Sequence, residues 1–157
     1  MAQRTLRVGI AVGLIAGSAT AGALIVLGRR LGGAAIPFAA AVSPVSPLAA
    51  AIGAIPTGAV VAGMLVWLLM SAAWGAVFAW LVVEWRGRTV IPGIVVGVSQ
   101  FLIGSAAART SGRGIATVLG DGDRVLVELL FAAALVIGIR FAFSPHRAGE
   151  STTRVSM

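Results

Sequence analysis

Residues 57–83 read TGAVVAGMLVWLLMSAAWGAVFAWLVV and contain no charged side chain. As an α-helix this stretch would be about 40 Å long, whereas the hydrocarbon core of a bilayer is about 30 Å thick. The stretch therefore predicts a helix that spans a membrane and that tilts or protrudes to accommodate its excess length.

The composition of the whole chain agrees with this prediction. Hydrophobic residues make up 59% and charged residues 11% of the 157 positions, whereas soluble domains carry about 25% charged residues. Three more stretches are long and apolar enough to span, at about residues 8–28, 90–108 and 124–143, and residues 144–157 are interpreted as a flexible polar tail. We therefore expect an all-α integral membrane protein with one transmembrane domain of four helices over residues 1–157, the first helix being uncleaved.

The segment between the first two spans is apolar but rich in proline. Residues 31–83 carry no charge, and Pro37, Pro44, Pro47 and Pro56 interrupt the first half of this stretch. Because proline removes a backbone donor and disfavours a helix before it, a continuous spanning helix is not expected there. The sequence predicts a re-entrant or interfacial segment with short helical pieces around residues 39 and 49–53; a fifth, broken span is the alternative.

The apolar side chains of this uncharged segment must be buried against something. Irregular backbone at membrane depth is tolerated only against protein or a wet cavity, and outside the membrane the same residues would form an exposed apolar patch. We therefore expect Phe38, Pro44 and Pro47 to bind a neighbouring subunit.

The basic residues are all arginine and flank the apolar stretches. If the chain has four spans, seven arginines lie on the side of the termini and five on the other side. The positive-inside rule then places both termini in the cytoplasm. Nucleic acid is not expected as a partner, because the arginines form no patch.

Two stretches share the frame Gly-Ile-x-Val-Gly, at residues 9–13 and 93–97. Small residues four positions apart allow helix backbones to approach closely in a membrane. We expect the first and third spans, which run parallel, to pack through one such face on each: Gly9, Gly13, Gly17, Thr20, Gly93, Gly97, Gln100 and Gly104. An internal duplication of two spans plus two, or chance in a chain with 21 glycines, would also explain the shared frame.

A few polar and aromatic side chains lie inside the predicted spans. Gln100 is interpreted as a hydrogen-bonding contact to Thr20 on the first span, or as a ligand contact. Glu128 is expected to pair with Arg124 near the interface, the alternative being a proton relay. Trp67 and Trp74 share one helical face, where a lipid, quinone or pigment could make contact.

The sequence contains no cysteine and a single histidine, His146. Thiolate and multi-histidine metal sites are thereby excluded, and no nucleophile–base pair or phosphate-binding loop appears. We expect no metal, no cofactor of the protein's own and no enzymatic activity.

The stretches GLIAGSATAGALIVLGRRLG (residues 13–32) and WGAVFAWLV (residues 74–82) are similar to those of small four-helix bacterial inner-membrane proteins of unknown function, the YagU-like family. This resemblance implies a four-helix membrane fold and no catalytic residues.

Two functions remain open at the level of the sequence. The first is a non-catalytic accessory subunit of a respiratory or photosynthetic membrane complex, packed against other subunits and lipids. The alternative is a stand-alone small oligomeric transporter or channel, which would need a polar path through the spans. Polar side chains within the spans are few, and this favours the accessory subunit.

Overall fold

A computed structural model of the chain describes residues 2–42, 57–111 and 114–143. Within these residues every regular element is a helix. Four helices are long and apolar enough to cross a membrane: α1 (Ala2–Arg30), α3 (Thr57–Glu84), α4 (Val90–Ser111) and α6 (Asp121–Phe143). Two short helices lie between them, α2 (Ile36–Val42) and α5 (Ile115–Val118).

The ends of the long helices follow local sequence signals. The link between α3 and α4 is only five residues long, and Gly87 adopts a positive φ of 82° while its N–H donates to the Val82 carbonyl at 2.8 Å. Such a left-handed glycine ends a helix at little cost. Pro92 lies in the first turn of α4, where a missing N–H removes no helical bond. Asp121 and Asp123 lie in the first turn of α6, where their negative charges interact favourably with the helix dipole.

The short helix α2 corrects the prediction of a partner-binding surface at Phe38. The Phe38 side chain is only 1% exposed and packs in a core cluster with Leu24 and Leu27 of α1. Gly63 of α3 lies directly against the Phe38 backbone, where any side chain would collide. This part of the apolar segment is thus covered by the chain's own helices. The helical piece predicted around residue 39 is confirmed, whereas Pro44, Pro47 and residues 49–53 lie outside the described residues.

The first glycine frame lies at a helix contact, but with a different partner from the predicted one. A Cβ atom built on Gly9 would lie 2.6 Å from the Ala79 Cβ, and one built on Gly13 would meet the Ser71 carbonyl oxygen. Ala79 and Ser71 both belong to α3. The close approach that these glycines permit is therefore made with the second long helix, not with the third.

The second frame behaves in the same way toward α6. A Cβ built on Gly93 would lie 2.7 Å from Val136 Cγ2, and one built on Gly97 would lie 3.4 Å from Ala132 Cβ. The predicted packing of the first span on the third through these residues is therefore wrong. Each frame packs against the long helix that follows it, which runs antiparallel to it.

The contacts show that the chain repeats one arrangement twice. A long helix, a short helix and a long helix form α1–α3, and the same order forms α4–α6. Positions in α4 correspond to those 84 residues earlier in α1, and positions in α6 to those 57 residues earlier in α3. Under this correspondence the contact of Gly9 with Ala79 becomes that of Gly93 with Val136. The two pairs of long helices thus make corresponding contacts at these positions, and the internal duplication stays a prediction.

Two clusters of buried side chains hold the bundle together. One lies where α1 and α6 meet α3, and its central members are fully buried aromatic and aliphatic residues of α3 and α6, Phe78, Phe131 and Leu135. The other joins the short helices to the long ones through Phe38 and Leu119. Because α2 follows α1 and α5 precedes α6, both short helices lie at the end of the bundle opposite the termini, and they contact each other there.

Candidate functional site: a cavity between the helices

A cavity of about 230 Å³ lies among α2, α3, α4, α5 and α6. It contains the polar and aromatic side chains that the sequence singled out on three different helices. Its lining residues are Ala41, Val66, Trp67, Met70, Trp74, Gln100, Ile103, Gly104, Ala107, Gly114, Ile115, Ala116, Arg124 and Glu128.

Helical periodicity explains why these residues converge. Trp67, Met70 and Trp74 are three, four and seven positions apart, so they share one face of α3. Gln100, Ile103, Gly104 and Ala107 repeat the same spacing on α4, and Arg124 and Glu128 lie one turn apart on α6. Each face is apolar apart from one or two polar groups, and the bundle brings the three faces together.

The cavity extends well into the bundle. Glu128 lies seven residues after the start of α6, which corresponds to about 10 Å along the helix axis. Gln100 lies 11 residues before the end of α4, which corresponds to about 16 Å from the same end. Both side chains therefore lie within the length that a membrane would cover.

Arg124 is almost fully buried at the edge of this cavity, and its Nη2 makes two hydrogen bonds to α4. Its Nη2 donates to the Phe101 carbonyl oxygen at 3.2 Å and to Ser105 Oγ at 2.8 Å, and its guanidinium lies 4.5 Å above the centre of the Phe101 ring. Its Nη1 is 3.6 Å from Asp121 Oδ1. Gly104 leaves room for this arrangement, since a Cβ there would lie 3.7 Å from Nη2. Arg124 therefore fastens α6 to α4.

The expected ion pair between Glu128 and Arg124 is not formed in the structure. Arg124 turns toward Asp121 and α4 instead, and Glu128 Oε2 is buried without a hydrogen-bond partner among the described residues. One turn of helix brings two side chains near each other, but Arg124 instead donates to the Phe101 carbonyl oxygen and the Ser105 hydroxyl oxygen on α4, and the same Ser105 hydroxyl donates to that carbonyl.

The expected hydrogen bond from Gln100 to Thr20 is also absent. The Thr20 hydroxyl donates within its own helix, to the carbonyl oxygens of Ala16 and Gly17. Gln100 lines the cavity toward α3 and α6, and its Oε1 is buried with no partner among the described residues. Two residues that line one cavity, Gln100 and Glu128, thus each carry a buried acceptor atom without a partner among the described residues.

In each half of the chain, a hydrogen bond from a side chain to a backbone carbonyl links the two long helices. In the first half, Trp67 Nε1 donates to the Gly17 carbonyl oxygen at 3.0 Å. The corresponding residues in the second half are Arg124 and Phe101, which make the equivalent side-chain-to-carbonyl bond at 3.2 Å. The same link therefore fastens both helix pairs.

The two helix pairs differ in how closely they approach. A Cβ on Gly13 would collide with the Ser71 carbonyl oxygen, whereas one on the corresponding Gly97 would lie 3.9 Å from the Glu128 carbonyl oxygen. The positions of Gln100 and Glu128 correspond to Ala16 and Ser71, which are small and buried. Larger polar side chains in the second half thus coincide with a wider seam.

Trp67 and Trp74 are both half-buried and line the cavity, as the aromatic spacing predicted. The indole of Trp67 is held in place by its bond to Gly17. The lining by α5 residues Ile115 and Ala116 was missed, because a four-residue helix has no periodic signal in the sequence. Among the described residues no group of three or more His, Asp or Glu side chains could hold a metal ion.

An apolar groove of about 530 Å³ runs along the outside of α4 and α6. Apart from Glu128, its lining side chains are apolar or absent. They are Val90, Gly93, Ile94, Gly97, Val98, Phe101, Val125, Leu129, Ala132, Ala133, Val136 and Ile137.

Comparison of the chain with protein-family models, with curated proteins and with solved structures gives no match. The similarity to the YagU-like family therefore stays a prediction. No binding or catalytic residue is carried over from a relative, and the site is interpreted from its own geometry.

Proposed function

We propose that this chain is a non-catalytic multi-pass protein of the bacterial inner membrane that binds a small hydrogen-bond-donating molecule inside its bundle and acts as a small transporter. The observation that carries the proposal is a pair of buried acceptor atoms, Gln100 Oε1 and Glu128 Oε2, which have no hydrogen-bond partner among the described residues and belong to two residues that line one cavity.

The cost of such acceptors supports a ligand. A buried polar atom without a hydrogen bond costs about 1–3 kcal/mol, and a carboxylate in an apolar environment costs more. Ionisable residues within a span are rare and usually belong to a pathway or a binding site. A molecule that brings donors to both acceptors would remove this cost, so the empty acceptors favour binding.

The charges around the cavity favour an ammonium group as the donor. Glu128 supplies the negative charge, while the donors of Arg124 are engaged with Asp121, Ser105 and the Phe101 carbonyl. Trp67 and Trp74 present aromatic surfaces, which attract organic cations. At about 230 Å³ the cavity suits a small amine or its polar head rather than a large solute.

An accessory subunit of a larger complex is the second candidate. The main support for such a subunit in the sequence is the apolar segment between the first two spans, which needs a partner to cover it. In the structure, α2 within that segment is covered by α1 and α3. The observation that still favours a partner subunit is the outward-facing groove on α4 and α6. Of the polar side chains within the spans, Gln100, Arg124 and Glu128 line one cavity, and on this ground we rank the transporter first.

A single introduced cysteine tests the cavity, because the chain has no cysteine of its own. Ala107→Cys places a thiol in the cavity lining, and Leu102→Cys, which is not among the lining residues and whose native side chain is 58% exposed, is the matched control. We expect a thiosulfonate reagent with an ammonium head to modify position 107 several-fold faster than one with a sulfonate head. Methylammonium should slow that modification in a saturable way, while sodium should not.

The second arm uses Glu128→Gln, which keeps the shape of the side chain and removes its charge. On the proposal this change abolishes both the preference for the ammonium reagent and the protection by methylammonium. Equal elution profiles in mild detergent would show that the fold is kept. Protection that is the same for sodium and methylammonium, or that survives Glu128→Gln, would overturn the proposal.

A further inference from the structure

Glu128 lies between the inner cavity and the outer groove. Among the described residues that line these two spaces, Glu128 is the one that lines both. Glu128 is therefore adjacent to both spaces, although its Oε2 atom is buried. No charged side chain besides Glu128 is among the residues that line the groove.

The groove leads away from the cavity along the two helices. It extends from Glu128 to Ile137 on α6, nine residues or about 14 Å. On α4 it continues from Phe101 to Val90, toward the end of the bundle where α3 is linked to α4. Gly93 and Gly97 place no side chain in the groove between α4 and α6 and so leave it unfilled.

The opposite end of the cavity is lined by the short helices. Ala41 of α2 and Ile115 and Ala116 of α5 contribute apolar side chains there, and α2 and α5 contact each other. A solute coming from water at that end meets apolar side chains before it reaches Glu128. A molecule already in the lipid meets the groove first, and Glu128 next.

We propose that the ligand is a single-chain alkylammonium, which enters from the lipid between α4 and α6. Its ammonium head binds Glu128 and Gln100 in the cavity, and its alkyl tail lies in the groove and points toward Val90 and Ile137. The charge matches because the groove ends at one carboxylate, and the apolar tail matches the apolar lining. This inference rests on the proposed function, and it names the substrate class and the route.

Photo-crosslinking tests the position of the tail. Dodecylammonium that carries a diazirine on its last carbon should label the far end of the groove, around Val90, Ile94 and Ile137, in vesicles that contain the protein. The same molecule with the diazirine beside the nitrogen should label residues near Phe101 and Val125. Excess dodecylammonium should remove both labels, and dodecanol, which has the same tail without the charge, should remove neither.

A variant that fills the groove distinguishes the entry route of the alkyl chain from the binding site of the ammonium head. Ala133→Trp fills the groove without touching the cavity lining, and Ala73→Trp places the same ring on an exposed position of α3 that lines neither space. With Ala107→Cys as the reporter, Ala133→Trp should raise the dodecylammonium concentration needed for protection about tenfold. It should leave the protection by methylammonium unchanged, and Ala73→Trp should change neither.

The two proposals fail in different ways. If methylammonium still protects but Ala133→Trp has no effect on dodecylammonium and the tail label spreads evenly over the exposed helices, the lateral route is wrong and the site stands. If neither amine protects position 107, both proposals fall. Removal of the labels by dodecanol as effectively as by dodecylammonium would show that the groove binds any alkyl chain, and would overturn the role of the head.

Discussion

Gly13 sets the distance between two helices by the side chain that it lacks. A Cβ there would collide with the Ser71 carbonyl oxygen and lie 2.9 Å from the Gly75 Cα. Both of these atoms are backbone atoms of α3, so no rotamer change can make room. Gly22 lies on the same helix, but a Cβ there would meet nothing within 4 Å. The two glycines therefore differ in tertiary environment while sharing the same local structure.

This difference predicts opposite effects of the same substitution. Gly22→Ala should stabilise the protein slightly, by up to about 1 kcal/mol, because alanine is the better helix former. Gly13→Ala should lower the free energy of unfolding by about 1–3 kcal/mol, because the helices must separate to fit the methyl group. Thermal unfolding in mild detergent measures both. Equal stability of the two variants would mean that α1 and α3 do not approach at Gly13.

The polar residues show that a local sequence pattern can indicate which residues are unusual but not which partners they bind. Gln100, Glu128, Trp67 and Trp74 stand out in the sequence because each is unusual within an apolar stretch. Their partners did not follow from spacing. Arg124 lies one turn from Glu128, yet it bonds to Phe101 and Ser105 of another helix, 23 and 19 positions away. Only the packing of α6 on α4 brings those acceptors within reach.

The pairing of helices is decided at the scale of elements. Each glycine frame packs against the long helix that follows it, so the shared frame reflects equivalent positions in a repeat rather than two halves of one contact. Faces of small residues indicate that two helices approach closely. They do not determine which helix is the partner, because every long helix here carries some small residues.

Pairs of introduced cysteines test this pairing directly. The Cβ of Val12 lies 3.7 Å from a Cβ built on Gly138, and a Cβ on Gly97 lies 3.4 Å from that of Ala132. Both distances are close to the mean of about 3.8 Å found in disulfides. We expect each pair, when changed to cysteine, to crosslink under mild oxidation in membranes, as measured by electrophoresis after proteolysis between the helices.

The matched comparison for these crosslinks is the pair expected from the shared frame. Cysteines at Ala16 and Gln100 should stay reduced, because Ala16 is buried in the cluster formed with α3 and α6 while Gln100 lines the cavity. Efficient crosslinking of that pair, without crosslinking of the other two pairs, would show that the first long helix packs on the third, as the shared frame predicts.

At the scale of the whole molecule, the cavity lies between the two halves of the chain, since residues of α2 and α3 line it together with residues of α4, α5 and α6. Both halves use a side chain on the later helix, Trp67 or Arg124, to bond a carbonyl on the earlier one. The first half carries Ala16 and Ser71 where the second carries Gln100 and Glu128, and its seam is closed. One half of the bundle thus serves packing, while the other has room for polar groups.

The orientation of the molecule follows from its arginines and can be checked with fusions. Seven arginines against five predict that both termini are cytoplasmic. Alkaline phosphatase, which is active only outside the cytoplasm, should be silent when fused after Met157 and active when fused after Ser111 of a truncated chain. The reverse pattern of activity would invert the topology and place the end of the bundle that carries α2 and α5 in the cytoplasm.

The sequence by itself determined the number, the length and the apolar character of the four long helices, because these depend on hydrophobicity and on local breakers along the chain. It also indicated the few residues able to carry chemistry. The tertiary structure decided which helices touch, that Phe38 is buried, and that Gln100 and Glu128 line one cavity. In a membrane, lipid and neighbouring helices are equally apolar, so hydrophobicity cannot select a helix partner. That choice depends on backbone approach and on hydrogen bonds between residues far apart in the chain, which only the folded arrangement brings together.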